Sequence, residues 1–151
     1  MSNLIEINKD ITEVEEGVIL QQVNCQNSMG AGVAKAIYTK YPIVKRKYHN
    51  LFKCYRKEEL LGALQKIQIN DKLFIFNSFS QFYYGNNKQV VYTGYDELFN
   101  NIQRTLEFAK YHNLNLYIPK YIGCGLANGD WNKVEHFISS LDSDKIRICY
   151  I

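Results

Sequence analysis

Two stretches of small residues offer this chain a place for chemistry. Gly30-Ala31-Gly32 lies in "VNCQNSMGAGVAKAIYTKYP" (23–42), and Gly123-Cys124-Gly125 in "KYIGCGLANGD" (120–130). Each follows an apolar run that reads as a strand and precedes apolar residues at helical spacing. A thin loop at a helix N-terminus presents backbone N–H groups beside the positive end of the helix dipole, where a Cβ would block an incoming anion. Two such loops can clasp the two phosphates of a diphosphate. Glycine at a strand-to-helix turn also serves simply to seat the helix tightly on the sheet, and that use competes with the first. The first loop is neither G-x-G-x-x-G nor G-x-x-x-x-G-K-[ST], which argues against dinucleotide redox chemistry and nucleoside triphosphate hydrolysis.

Other reactive residue types have an ordinary structural use beside a chemical one. Asp10 ends the first apolar segment, where an Asx-type turn is the default. Asp130 stands before Trp131 and a helical apolar series, the position of an N-cap. Cys25 and Cys124 flank the glycine loops, but no histidine has motif spacing to either, so small-residue packing is the stronger explanation. The four cysteines form no C-x-x-C pair, and reduced thiols are expected rather than zinc ligands or disulfides. His49, His112 and His136 fall in solvated or structural contexts. No metal and no cofactor is expected.

These loops need strands and helices to hold them. "LIEI" (4–7), "VILQQVN" (18–24), "ALQKIQI" (63–69), "LFIFNSF" (73–79), "LNLYIP" (114–119) and "KIRICYI" (145–151) read as strands. One helix is predicted from about Val33 to Pro42, which can open a second over 42–57. A third starts near Thr93 as its cap, has Asp96 and Glu97 in its first turn, and runs to about His112. The last is "WNKVEHFISSL". The alternation predicts an α/β layered sheet.

The 151 residues, 46% hydrophobic and 22% charged, suit one domain spanning 1–151. No apolar run approaches the roughly 18 residues that cross a bilayer, and "MSNLIEINKD" resembles no signal peptide, so a cytoplasmic protein is expected. Net charge is +3. Lys35, Lys40, Lys45, Arg46, Lys47, Lys53, Arg56 and Lys57 come with no acid until Glu58. Such a segment can attract nucleic acid or another anion, or be only the solvated side of helices.

"NKDIT" (8–12), "VNCQNSMGAGVAKAI" (23–37) and "IPKYIGCGLANGDW" (118–131) together resemble the macro domain family over essentially the whole chain. The forms N-C-Q-x-x-M-G-A-G-[VI]-A and P-x-x-x-G-C-G-L-x-x-x-x-W are most similar to its compact branch. That branch holds ADP-ribose 1''-phosphate phosphatases, terminal ADP-ribose protein glycohydrolases and antitoxins that remove ADP-ribose from DNA. The resemblance implies a three-layer α/β/α sandwich around a mixed sheet, and a cleft for ADP-ribose.

By the same resemblance Asp10 accepts the adenine amino group, with the Ile11 backbone beside it. An ionised carboxylate, being acceptor-only, suits that task. Asn24 and Asn27 face the distal ribose. Gly30, Ala31, Gly32 and Val33 form the first phosphate loop, and Gly123, Cys124, Gly125, Leu126 and Ala127 the second. At the end of the last strand, Tyr150 is a candidate adenine contact; alternation makes either it or Ile151 a core residue. Gly125 is a candidate for positive φ.

The chain departs from the branch in ways that bear on catalysis. Lys9 replaces the usual glycine before Asp10. The lysine that follows the "FIFNSF" strand in the glycohydrolases and antitoxins is replaced by Ser80 or Gln81, and Ala127 stands where the glycohydrolases carry an acid. A hydrolase of an ADP-ribosyl derivative would therefore be lysine-independent, with Asp130 or Asn24 positioning water. The alternative is a reader that binds ADP-ribose without turnover.

Overall fold

A computed structural model of the chain describes residues 4–151. Its strands are β1 (Ile5–Asn8), β2 (Gly17–Asn24), β3 (Leu64–Gln68), β4 (Leu73–Gln81), β5 (Leu116–Pro119) and β6 (Ile146–Tyr150). They form one sheet in the order β1-β6-β5-β2-β4-β3. Every neighbouring pair is parallel except β3 with β4, so the sheet is mixed, as expected.

The two faces follow from period-2 alternation in the central strands. Val18 and Leu20 of β2, with Phe74 and Phe76 of β4, point to helices α4 (Tyr95–Tyr111) and α5 (Trp131–Ser140). Ile19, Leu73 and Ile75 point the other way, to α1 (Gly32–Lys40) and α2 (Pro42–Leu51). Being covered on both faces, β2 and β4 are buried almost throughout; each begins with an apolar run, Val18–Leu20 and Leu73–Phe76, and turns polar toward its C-terminal end. The result is the expected three-layer α/β/α arrangement. A third cluster of Val23, Cys25, Met29, Tyr48, Leu60 and Phe79 packs near the C-terminal ends of β2 and β4, under the first glycine loop.

Several boundaries differ from expectation. The helix predicted over 42–57 stops at Leu51, and a short α3 (Lys57–Leu60) follows a turn. Residues 53–59 are all exposed, so no packed face carries the helix on, and Glu59 Oε1 instead accepts the Arg56 backbone N–H at 3.0 Å to start α3. Thr93 is not the cap of α4: Gly94 is, and the Thr93 hydroxyl is drawn into the site. Neither Tyr150 nor Ile151 is core. They are 39% and 91% exposed, because the inward positions of β6 are already taken by Ile146, Ile148 and Cys149.

Among the described residues no helix is long and apolar enough to cross a membrane.

Candidate functional site

In parallel strands the loops toward successive helices gather at one edge, and a cleft lies there, at the C-terminal ends of β2, β4 and β5. Its volume is about 540 Å³, and it runs between residues 28–34 on one side and 119–127 on the other. Gln21 and Gln22 lie at its floor, and Gln81, Tyr84 and Gly85 close one end. Exposed Val33, Tyr84 and Leu126 form its lips.

The glycines separate the two uses they had in sequence. A Cβ built on Gly30, Gly32 or Gly125 meets nothing within 4 Å, so no neighbouring side chain requires these positions to be thin. Gly123 and Gly129 are different. Gly123 has φ +72°, and its Cβ would lie 3.0 Å from Thr93 Oγ1 and 3.2 Å from Gln22 Oε1; a Cβ on Gly129 would collide with the Gly123 carbonyl. The second loop therefore uses Gly123 for its turn and presents Gly125 to the cleft. Gly125 is not at positive φ, contrary to expectation; Gly32 and Gly123 are.

The two loops also differ at their helix ends. The N-cap of α1 is Ala31, with no side-chain acceptor and no acid in the first turn, so the first N–H groups of α1 remain available beside the cleft. The N-terminus of α5 is already capped: Asp130 accepts from the Asn132 N–H at 2.9 Å.

Beneath the first loop, Asn24 is a brace. Its Nδ2 donates to the Ser28 carbonyl at 2.8 Å, and its Oδ1 accepts the Gln26 N–H at 2.9 Å. The Tyr48 hydroxyl completes the brace, 2.8 Å from the Asn24 carbonyl, and receives the Ser28 N–H at 3.1 Å.

The second loop is tied down differently. Ser80 Oγ donates to Gln22 Oε1 at 2.7 Å, Gln22 Nε2 donates to Thr93 Oγ1 at 3.0 Å, and the Thr93 hydroxyl donates to the Gly123 carbonyl at 2.6 Å. Asn128 Nδ2 donates to the carbonyls of Asn87 and Val90, joining the loop after β4 to the same unit. Among the described residues, one buried side-chain polar atom lacks a partner: Oε1 of Gln21, a residue that lines the cleft. An orphaned buried acceptor is uncommon and often marks a functional place.

Of the sequence candidates, Asn24, Gly30, Ala31, Gly32, Val33, Gly123, Gly125, Leu126 and Ala127 line this cleft. Asp10, Ile11, Asn27, Cys124, Asp130 and Tyr150 do not. Asp10 instead caps a 3-10 turn (Ile11–Glu13), its Oδ1 accepting both the Thr12 N–H and hydroxyl, and these bonds hold its carboxyl below the usual aspartate range. Ile11 is buried in the core. Asp10 and Tyr150 still come close, at the ends of β1 and β6, where the Lys9 N–H donates to the Tyr150 carbonyl at 2.9 Å. Asn27, at φ 56°, turns outward to His49 Nδ1 at 2.6 Å. Burial pushes the Cys25 and Cys124 thiols up to about 11, so both stay protonated near neutrality and are poor nucleophiles.

At the position of the missing lysine, Ser80 is buried and Gln81 reaches the cleft. Sequence reasoning missed Gln21, Gln22, Tyr48, Tyr84 and Lys120. One signal was present: "QQ" interrupts an otherwise apolar central strand.

Solved structures resemble this fold over almost its full length. A protein of unknown function from Bacteroides thetaiotaomicron matches at a TM-score of 0.85 and 25% identity, covering 99% of this chain and 98% of that one. A macrodomain protein from Streptomyces coelicolor matches at 0.75 and 20%, covering 99% of each. Thermosipho africanus DarTG in complex with ADP-ribose matches at 0.71 and 16%, covering 98% of this chain and 42% of that one. No protein-family model and no curated protein matches the chain.

Proposed function

Because this chain has the macrodomain fold, we propose that its cleft binds ADP-ribose or an ADP-ribosyl derivative. The observation that carries this reading is the open space beside Gly30, Gly32 and Gly125, on facing sides of one cleft. Packing would have filled that space with protein atoms; a diphosphate needs it empty. The uncapped N-terminus of α1 supplies N–H donors and a favourable dipole for the anion. The ADP-ribose complex of the similarly folded Thermosipho protein supports the choice of ligand. Calorimetry is expected to show ADP-ribose binding more tightly than AMP or ribose 5-phosphate, since each fragment leaves part of the cleft unfilled. Equal affinity for AMP and ADP-ribose would remove the argument that the loops act together.

The finer proposal is hydrolysis of an ADP-ribosyl derivative, with ADP-ribose 1''-phosphate the first substrate to test. Asn24 and the loop backbone would hold the ribose and orient water, so catalysis would rest on positioning. Asp130 is exposed, caps α5 and does not line the cleft. Asp130→Asn, which keeps the cap, is therefore expected to leave kcat unchanged; a fall of about a hundredfold with the melting temperature retained would make that carboxylate catalytic. Incubation with ADP-ribose 1''-phosphate, ADP-ribosylated protein and ADP-ribosylated DNA, scored for phosphate and ADP-ribose release, separates a hydrolase from a reader. Nucleic acid as the carrier of the ADP-ribosyl group is a further proposal, supported by exposed Lys35, Lys40, Arg46, Lys47, Lys53, Arg56 and Lys57 on and between α1 and α3. Its signature would be affinity that falls steeply with salt.

A further inference from the structure

Lys120 is the one residue of charged type among those that line the cleft. It follows Pro119 at the end of β5 and reaches across β6 to β1, where its Nζ lies 2.8 Å from Glu6 Oε1. The rings of Tyr121 and Tyr150 flank the ammonium, with centroids at 5.4 and 5.5 Å. The pair is partly shielded, its side chains being 24% and 35% exposed. The hydrogen bond to Glu6 raises the Lys120 pKa above the ordinary lysine value, and Glu135 of α5 adds a further negative charge in the same sense. Lys120 thus lines the cleft as a residue while its ammonium is held to one side by a carboxylate two strands away.

Such an arrangement is more than the balance of two surface charges. Neither glycine loop brings a positive side chain to the cleft, and backbone N–H groups alone do not neutralise a dianion. A lysine ammonium on a flexible stem can exchange one oxygen partner for another by rotating that stem. We propose that Lys120 is the cationic partner of the ligand's diphosphate, and that Glu6 holds it in reserve until a phosphate oxygen takes its place. The inference rests on the diphosphate reading of the cleft and adds to it a specificity-determining residue outside both loops. Glu6 acts through Lys120 and is a positioning residue.

The test measures Kd for ADP-ribose and, separately, for inorganic pyrophosphate at low and high salt, with melting curves to establish that each variant folds. Lys120→Met is expected to weaken both ligands about five- to twentyfold at low salt and to flatten the salt dependence, because a screened charge contact has been removed. Lys120→Arg should restore most of the loss. Glu6→Gln should tighten both ligands about two- to fivefold, and should change nothing when Lys120 is already Met. Unchanged affinities in Lys120→Met overturn the proposal. So does a loss of equal size at low and high salt, which would assign Lys120 to packing against the tyrosines. If the wild-type protein binds pyrophosphate in this Lys120-dependent way but not ADP-ribose, the nucleotide reading fails and the inference stands. Should it bind neither, both fall.

Discussion

Gly125→Val is expected to abolish ADP-ribose binding, weakening it by about a hundredfold or more, while leaving the protein folded. The two halves of that expectation have separate grounds. A Cβ at position 125 meets no protein atom within 4 Å, and the residue is not in the left-handed region, so valine fits the backbone already there. The stability change should stay within about 0.5 kcal/mol, as for other exposed sites without special geometry. The branched side chain would instead fill the space next to the second loop and keep an anion from its N–H groups, and a hundredfold loss corresponds to about 2.7 kcal/mol. Calorimetry beside thermal melting decides it. A folded variant of unchanged affinity would mean that the open space is not where the ligand lies. Gly123→Ala provides the contrast: with φ +72° and Thr93 Oγ1 at 3.0 Å from the new Cβ, it should lower stability first.

Tyr48→Phe should destabilise the fold by about 1–3 kcal/mol and slacken the first loop as well. Tyr48 is fully buried, stacked on Phe79 with centroids 5.6 Å apart, so phenylalanine keeps its packing and loses only the hydroxyl. That hydroxyl receives the Ser28 N–H and donates toward Asn24, and its removal costs these half-buried groups a partner. For a domain of this size the loss should appear as a melting temperature lower by several degrees. Because Asn24 and Ser28 set the path into Gly30-Ala31-Gly32, ADP-ribose affinity should also fall, by about three- to tenfold. Melting and affinity both at wild-type values would show that the brace is redundant with the Asn24 amide.

The layers and the loops were legible in the sequence for a simple reason. Strands buried on both faces need long apolar runs, and loops that face a ligand or turn sharply need glycine, so both leave compositional traces. Asp130 was legible as a cap because an N-cap is a local arrangement. What stayed hidden depends on contacts between distant segments. Thr93 has the residue type of a cap, yet its hydroxyl bonds to Gly123, thirty residues on, a choice that local spacing does not encode. Gly123 and Gly125 are two positions apart in one loop and differ in the sign of φ and in what stands opposite their α-carbons. Lys120 lies within 118–131 but at an unspecified position of that motif. Its place depends on β1 and β5 flanking β6, a strand order that alternation alone does not fix.

That strand order also sets a timetable. β1 sits at the sheet edge with β6 as its neighbour, so the first described strand pairs with the last described one. Residues 5–8, Glu6 among them, can take their place in the sheet only once residues 147–150 are there to pair with them. Parallel pairing between such distant segments is slow, because the closure entropy is spent before contacts return it. The two glycine loops belong to β2 and β5, which already neighbour each other, and that part of the site can assemble earlier. Loop-closure entropy alone is therefore expected to make the Glu6–Lys120 contact a late one, checked by whether Glu6→Gln changes the unfolding rate more than the folding rate.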